Sequence, residues 1–246
     1  PFMLRKKVNE LSPLSKEESR DVIISLAHKN HKEISEVVIE EILKKRSANN
    51  PLYLSFLIDR ISFLDAEDFK EIALLGDGIE AINEYMIDIV YHAGSSLKEI
   101  VKELLKESAE RINRNVIYPI INLMIHELKL NQNFLDKYFS YHHLPFQELD
   151  FSLFTNLFKS LFSESIFYEI SFKNDVVRSA AEELLYEQNQ IIDIHDIISW
   201  LENDHRFSDT DKAVNLIPLY FESNNIDAFV DYYLKSSVSS YTDTDS

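Results

Sequence analysis

From Ser15 onward, apolar side chains return every three or four residues. Val22, Ile23, Leu26 and Ala27 mark one face of a helix. Ser15 as cap and Glu18 three residues later set its start, because the two side chains can bond each other's backbone amides. A second helix is expected within 31–50. There Val37, Val38, Glu41 and Ile42 are phased for one buried and one wet face, and Lys44, Lys45 and Arg46 fall where carbonyl ends favour cations. Asn49 and Asn50 end it. Asn50 also suits the cap of the next helix, with Pro51 in its first position and Leu52, Leu54, Phe56, Leu57 and Ile61 on its core face.

The same period continues. Residues 65–78 predict a short helix closed by a Gly-Asp-Gly turn, and 78–94 stay in helical phase. Residues 95–112 form a strong amphipathic pattern. Pro119 belongs in the first turn of a helix, which predicts a buried helix over 120–128. Asn131 opens another, with Phe134, Leu135, Tyr138 and Phe139 as its apolar set. Residues 149–162 then predict a helix whose Leu/Phe face, including Phe151, Phe154 and Phe158, is packing. The run SIFYEISF at 165–172 is aromatic and β-branched, and predicts one or two short strands or a hairpin. Asp175 is placed to cap the helix that follows. Residues 191–235 predict three helices, the first units of a helical repeat array. The polar stretch 236–246 predicts a disordered tail.

The fold class is therefore mainly α. A small helical bundle over 1–112 precedes a winged-helix-like unit over 113–190 and a short helical-repeat-like segment over 191–235. The 246 residues, 45% of them hydrophobic, suffice for two or three compact units. With 3 Gly and 6 Pro, permissive turns are scarce and long elements joined by polar loops are favoured. The 16 Phe and 12 Tyr make much of the packing aromatic.

A formal net charge of -17, spread along the chain, argues against a general electrostatic grip on nucleic acid or on anionic membranes. Lys159, Lys173 and Arg178 are too few to make a DNA-reading face. The absence of cysteine excludes disulfides and thiol catalysis and fits a reducing compartment, so a cytoplasmic location is expected. The opening PFMLRKK lacks the apolar region of a secretion signal and begins with Pro, so the chain is expected to be a piece of a longer protein.

The chain contains no GxxxxGK[ST], HExxH or GxSxG. His142 and His143 are adjacent and diverge on a helix, and His28 and His31 suit a solvated helix end, so no metal is expected. No nucleophile, base and orienting acid assemble from the sequence, so the chain by itself is not expected to be an enzyme.

Taken in order, these elements resemble the C-terminal part of a STAND-type P-loop NTPase, the NACHT and NB-ARC group of switch proteins. Leu11–Glu18 looks like the segment entering the small helical domain. Asn49-Asn50-Pro51-Leu52 is similar to the family's G-N-P-L motif, with Asn49 in the usual Gly place. Residues 115–135 look like the first helices of the family's winged-helix domain, and 165–185 like its end. There Asn174 and Asp175 stand where the family places a His-Asp-like pair, and Asn cannot become cationic. The resemblance implies that Pro51, Asn50, Asn174 and Asp175 face ADP or ATP with Mg²⁺ held by an upstream P-loop domain. It also implies nucleotide-driven homo-oligomerisation and protein partners. Two other classes remain open: a helical protein–protein interaction scaffold without nucleotide, and a DNA-binding winged-helix regulator. Locally, Pro51 also suits a plain first helical position, Asn50 a cap, Tyr53 the core, and Asn174 and Asp175 a strand-to-helix turn. Arg178 suits structural pairing.

Overall fold

The computed structural model describes residues 12–128, 130–165 and 169–242, the last eight by backbone alone. Thirteen helices and one two-stranded antiparallel sheet make up the described residues. The chain divides into two compact units, Pro1–Ile100 and Val101–Ser246.

In the first unit, α1 (Lys16–Lys29) starts with the Ser15/Glu18 capping box. It packs on α2 (Glu36–Lys44) and on α3 (Pro51–Ser62), while α5 (Ile79–His92) packs on α2, α3 and α4 (Ala66–Leu75). Helix α3 is the centre. Tyr53, Leu54, Phe56, Leu57, Ile58 and Ile61 are all buried, so it has more than one apolar face, while Leu52 is only half-buried. Val38 of α2 is fully buried, but its neighbour Val37 is 54% exposed. Both cannot face the same side of a helix, and the core takes one. Helix α2 ends at Lys44, five residues before Asn49, and a turn fills the gap. Asp68 is an acid buried to 2% exposure. It is satisfied on both oxygens: Tyr85 Oη donates to Oδ1 at 2.5 Å and the Asp65 amide donates to Oδ2 at 2.7 Å. Burial and this carboxylate together raise the Tyr85 pKa.

The division between these two units falls within α6 (Leu97–Arg111). Lys102 of α6 donates to Glu187 at 2.7 Å, and Leu104, Leu105 and Ala109 are buried. These contacts belong to the second unit.

Helix α7 (Arg114–Ile125) is the spine of that unit. Eight of its residues are buried, and it packs on α9 (Glu148–Leu157), β2 (Ile170–Phe172) and α10 (Asp175–Glu187). Pro119 sits inside this helix, contrary to the sequence expectation of a start there. The Asn115 carbonyl loses its helical donor, but Asn115 is exposed and solvent can take it. Burial of Val116, Ile117, Ile120 and Ile121 outweighs the local cost of proline, about 3 kcal/mol. Helix α8 (Gln132–Tyr141) opens on the Asn131 cap, as expected.

The strands differ from the sequence reading. β1 (Phe162–Glu164) follows a single 3-10 turn at Lys159–Leu161, so the predicted helix over 149–162 stops at Leu157. β1 pairs with β2 with Phe162 opposite Phe172, and Ile170 also bridges to Leu130. Ile166, Phe167 and Tyr168 of the predicted strand run lie outside the described residues, as does Leu11 of the first motif.

Helices α11 (Ile194–Asn203), α12 (Asp209–Glu222) and α13 (Ile226–Thr242) follow in the expected order. α13 runs on to residue 242, over most of the stretch whose composition suggested disorder; 243–246 lie outside the described residues. No helix among the described residues is long and apolar enough to cross a membrane.

Asp204, 4% exposed, closes α11. It accepts from Trp200 Nε1 at 3.2 Å and from Arg206, whose guanidinium also donates to the Lys137 carbonyl at 2.5 Å. The Arg206 hydrogen bonds hold the Asp204 carboxyl down at about 2. A carboxylate whose pKa falls on folding stabilises the fold above its unfolded pKa, near 4, and loses that contribution as pH drops toward 2. Asp204→Asn is therefore expected to lower stability at pH 7 and to flatten the acid limb between about pH 4 and 2. Urea unfolding at a series of pH values checks this. An unchanged acid limb would show that Asp204 contributes nothing to it.

Candidate functional site

The Asn-Pro junction is built as a helix start. Asn50 Oδ1 accepts from the Leu52 amide at 2.9 Å and the Tyr53 amide at 3.3 Å, and Pro51 takes the first position, where no amide hydrogen is needed. Pro51 itself is exposed. The turn before it is tied to the segment 91–95 of the same unit. Lys45 Nζ donates to the Tyr91 and Ala93 carbonyls, both at 2.9 Å, and Ser47 Oγ donates to the Ser95 carbonyl at 2.6 Å. Tyr53 is fully buried, and its hydroxyl donates to the Gly94 carbonyl at 2.8 Å. A side chain at Gly94 would meet Glu99 Cβ at 2.5 Å, so this approach requires glycine. Asn50, Pro51 and Tyr53 therefore have complete structural roles.

The second pair lies in the other unit. Asn174 caps α10, its Oδ1 accepting from the Val177 amide at 3.1 Å, so the cap falls one residue before the expected Asp175. The amide side chain reaches back over the first turn, and Asp175 becomes the first helical residue, where a negative charge suits the helix dipole. Arg178 is ion-paired with Glu127 and lies 3.5 Å from Asp175. These residues line a cleft of about 400 Å³ with Lys173, Glu169 and Phe172. Within it Asp175 brings a negative charge, Lys173 a positive one, and Arg178 is engaged by Glu127.

A larger concavity of about 790 Å³ lies between the start of α8, one face of α9 and β1. Its wall mixes the polar Asn131, Ser152, Thr155, Asn156, Lys159 and Glu164 with the apolar Phe151, Phe162 and Ile170. Several of these groups are already bonded locally. Asn131 Oδ1 accepts from the Phe134 amide at 3.0 Å, Thr155 Oγ1 donates to the Phe151 carbonyl at 3.1 Å, and Asn156 Nδ2 donates to the Ser152 carbonyl at 2.7 Å. Among the described residues no group of His, Cys, Asp and Glu is arranged to hold a metal ion. His142 lies against Tyr138, ring centroids 4.5 Å apart, and burial lowers its pKa.

The periodicity concealed the exposed apolar side chains. Phe69, Leu74, Leu75 and Ile79 surround the Gly-Asp-Gly turn, and Ile226, Val230, Tyr233 and Leu234 run along α13. The α13 set falls at helical spacing, which a sequence reading assigns to a core. For the first group the available signal was Leu-Leu directly before a two-glycine turn, where a short helix has no further partner to cover it.

No family model matches the chain, and no curated protein or solved structure matches it either. The resemblance to the STAND group rests on element order and the short motifs quoted above.

Proposed function

We propose that this chain is a helical scaffold for protein–protein contacts and takes no nucleotide of its own. The observation that carries this reading is the α4–α5 tip. Every residue from Ala73 to Glu80 is exposed, and Leu74 and Ile79 are 88% and 63% exposed. The tip is held firmly from below. Asp65 and Asp68 form a reciprocal cap on α4, and Ile72, Ala81 and Tyr85 make a small core beneath it. Gly76 and Gly78 take the positive φ values, 146° and 86°, that the turn needs. An apolar knob on a rigid hairpin fits a partner's pocket at little ordering cost.

The finer architecture belongs to the same reading. Between 114 and 187 the order is helix, bridge, two helices, two strands and helix, with Ile170 bonded to Leu130 on one side and paired with Glu164 of β1 on the other. That order supports a winged-helix-like unit. Its third helix, α9, turns Glu148, Leu149, Ser152, Leu153 and Asn156 to solvent, a surface suited to protein and not to phosphate. Helices α11 to α13 then begin a repeat-like segment, and the setting is cytoplasmic. The same element order also favours a second reading, the regulatory half of an ADP/ATP switch completed by a P-loop domain with Mg²⁺.

Photo-crosslinking distinguishes the two. A photoreactive phenylalanine analogue in place of Phe69 is expected to give one discrete protein adduct in cells, lost when Leu74→Asp and Ile79→Asp are added. Absence of an adduct, or one indifferent to both substitutions, overturns the scaffold reading. In a longer protein that also carries a P-loop domain, calorimetric titration with Mg²⁺ and ADP is expected to give the same affinity with Pro51 or Glu at this position; affinity that falls on Pro51→Glu would support the switch.

A further inference from the structure

Helix α13 carries a separate apolar surface. Ile226, Val230, Tyr233 and Leu234 fall at i, i+4, i+7 and i+8 and are 54%, 44%, 59% and 55% exposed. Phe221 at the end of α12, 57% exposed, joins them through Phe229, whose ring lies 4.8 Å from Phe221 and 6.2 Å from Tyr233. The opposite side of α13 is the one that packs on α12. The Tyr232 ring lies tilted against that of Tyr220, centroids 6.1 Å apart, and its hydroxyl donates to the Asp209 carbonyl at 3.3 Å. The outer stripe leaves on the order of 500 Å² of apolar surface, the size at which patches on single chains are commonly interaction sites.

Charge decides what covers it. Asp227 and Asp231 each follow a stripe residue by one position, about 100° around the helix, so they form an acidic rail along one flank. Both are exposed, and neither makes an ion pair among the described residues. Over α12 and α13, 209–242, the sequence has five acids, Asp209, Asp211, Glu222, Asp227 and Asp231, against two bases, Lys235 and Lys212, and the Lys212 Nζ donates to the Glu202 carbonyl at 2.8 Å.

We propose that this stripe docks an amphipathic α-helix of a partner protein, apolar on one face and carrying Lys or Arg along the edge that meets Asp227 and Asp231. The proposal rests on the scaffold reading but uses a different surface from the α4–α5 tip. A second copy of this chain is a poorer occupant, because it brings its own acidic rail and a net charge of -17. An anionic lipid surface is opposed by the same charges.

The full chain is titrated by fluorescence anisotropy with a helical peptide of about 20 residues, Leu on one face and Lys elsewhere, and with its isomer carrying Glu for Lys. The Lys peptide is expected to bind at least about tenfold tighter, and to weaken about tenfold between roughly 0.05 and 0.5 M NaCl. Val230→Asp is expected to weaken it at least about tenfold, and Ile226→Gln does the same with less risk to the fold. Asp227→Lys with Asp231→Lys is expected to reverse the preference between peptides. Equal affinity for both peptides, or indifference to Val230→Asp and Ile226→Gln, overturns the proposal. So does self-association of the wild type that Val230→Asp abolishes, measured by sedimentation. If the peptide fails while the Phe69 adduct persists, only this docking is lost and the scaffold reading stands.

Discussion

Replacing Asn122 by Ala is expected to destabilise the second unit by about 2–4 kcal/mol, because three hydrogen bonds of one fully buried side chain vanish together. Asn122 is fully buried within α7. Its Nδ2 donates to the Tyr118 carbonyl at 2.9 Å and to the Gln190 carbonyl at 2.7 Å, and its Oδ1 accepts from the Ile192 amide at 2.9 Å. One side chain thus ties the link between α10 and α11 to the spine of the unit. Alanine leaves the Gln190 carbonyl and the Ile192 amide without their partner, and water must enter or the link must move. Asn122→Leu refills the volume without the bonds and separates packing from hydrogen bonding. Urea unfolding of the three proteins measures both terms. A loss below about 1 kcal/mol for the alanine variant would mean the link is held by other contacts.

Trp200→Ala is expected to cost about 3–5 kcal/mol, the range for a large aromatic removed from a packed core. Trp200 is 1% exposed and stands at the meeting of α8 and α11. Phe134, Tyr138 and Phe207 surround it with ring centroids at 5.3, 4.9 and 5.4 Å, all edge-on to its plane. Burial in this cluster raises the Tyr138 hydroxyl pKa to about 12. The indole also gives its hydrogen to Asp204, so Trp200→Phe is expected to recover most of the packing but not that bond. For a chain of this size the alanine variant corresponds to a fall in Tm of roughly 10 °C. Scanning calorimetry checks it. A shift of one or two degrees would show that the cluster repacks around the cavity.

Local signals were legible wherever cause and effect lie within one helical turn. Ser15 with Glu18, Asn50 with Pro51, and Asn131 before Phe134 each work through amides two or three residues away. The candidate site was legible in the same restricted sense: Asn50 and Asn174 stand at helix starts, and the structure uses them there as caps. What sequence alone did not disclose depends on distant partners. Pro119 is carried inside α7 by burial on several sides, and β1 starts at Phe162 because Phe172 and the Leu130 bridge complete the sheet. The bonds of Asn122 span 68 and 70 residues. Exposed stripes such as that on α13 share the period of a buried face, and no pattern within one helix says whether a neighbour will cover it.

The scarcity of glycine has a thermodynamic consequence at the helix ends. Five of them close on side-chain-bearing residues at positive φ, His31, Glu127, His143, Asn189 and Asn224, with φ between 52° and 56°. Glycine is the usual occupant of such positions, and a side chain there costs on the order of 1 kcal/mol. Together these termini withhold at most about 5 kcal/mol, with the smaller shares at Asn189 and Asn224 because asparagine adopts this region readily. Part of the stability this chain could gain therefore lies at its helix ends, outside the core.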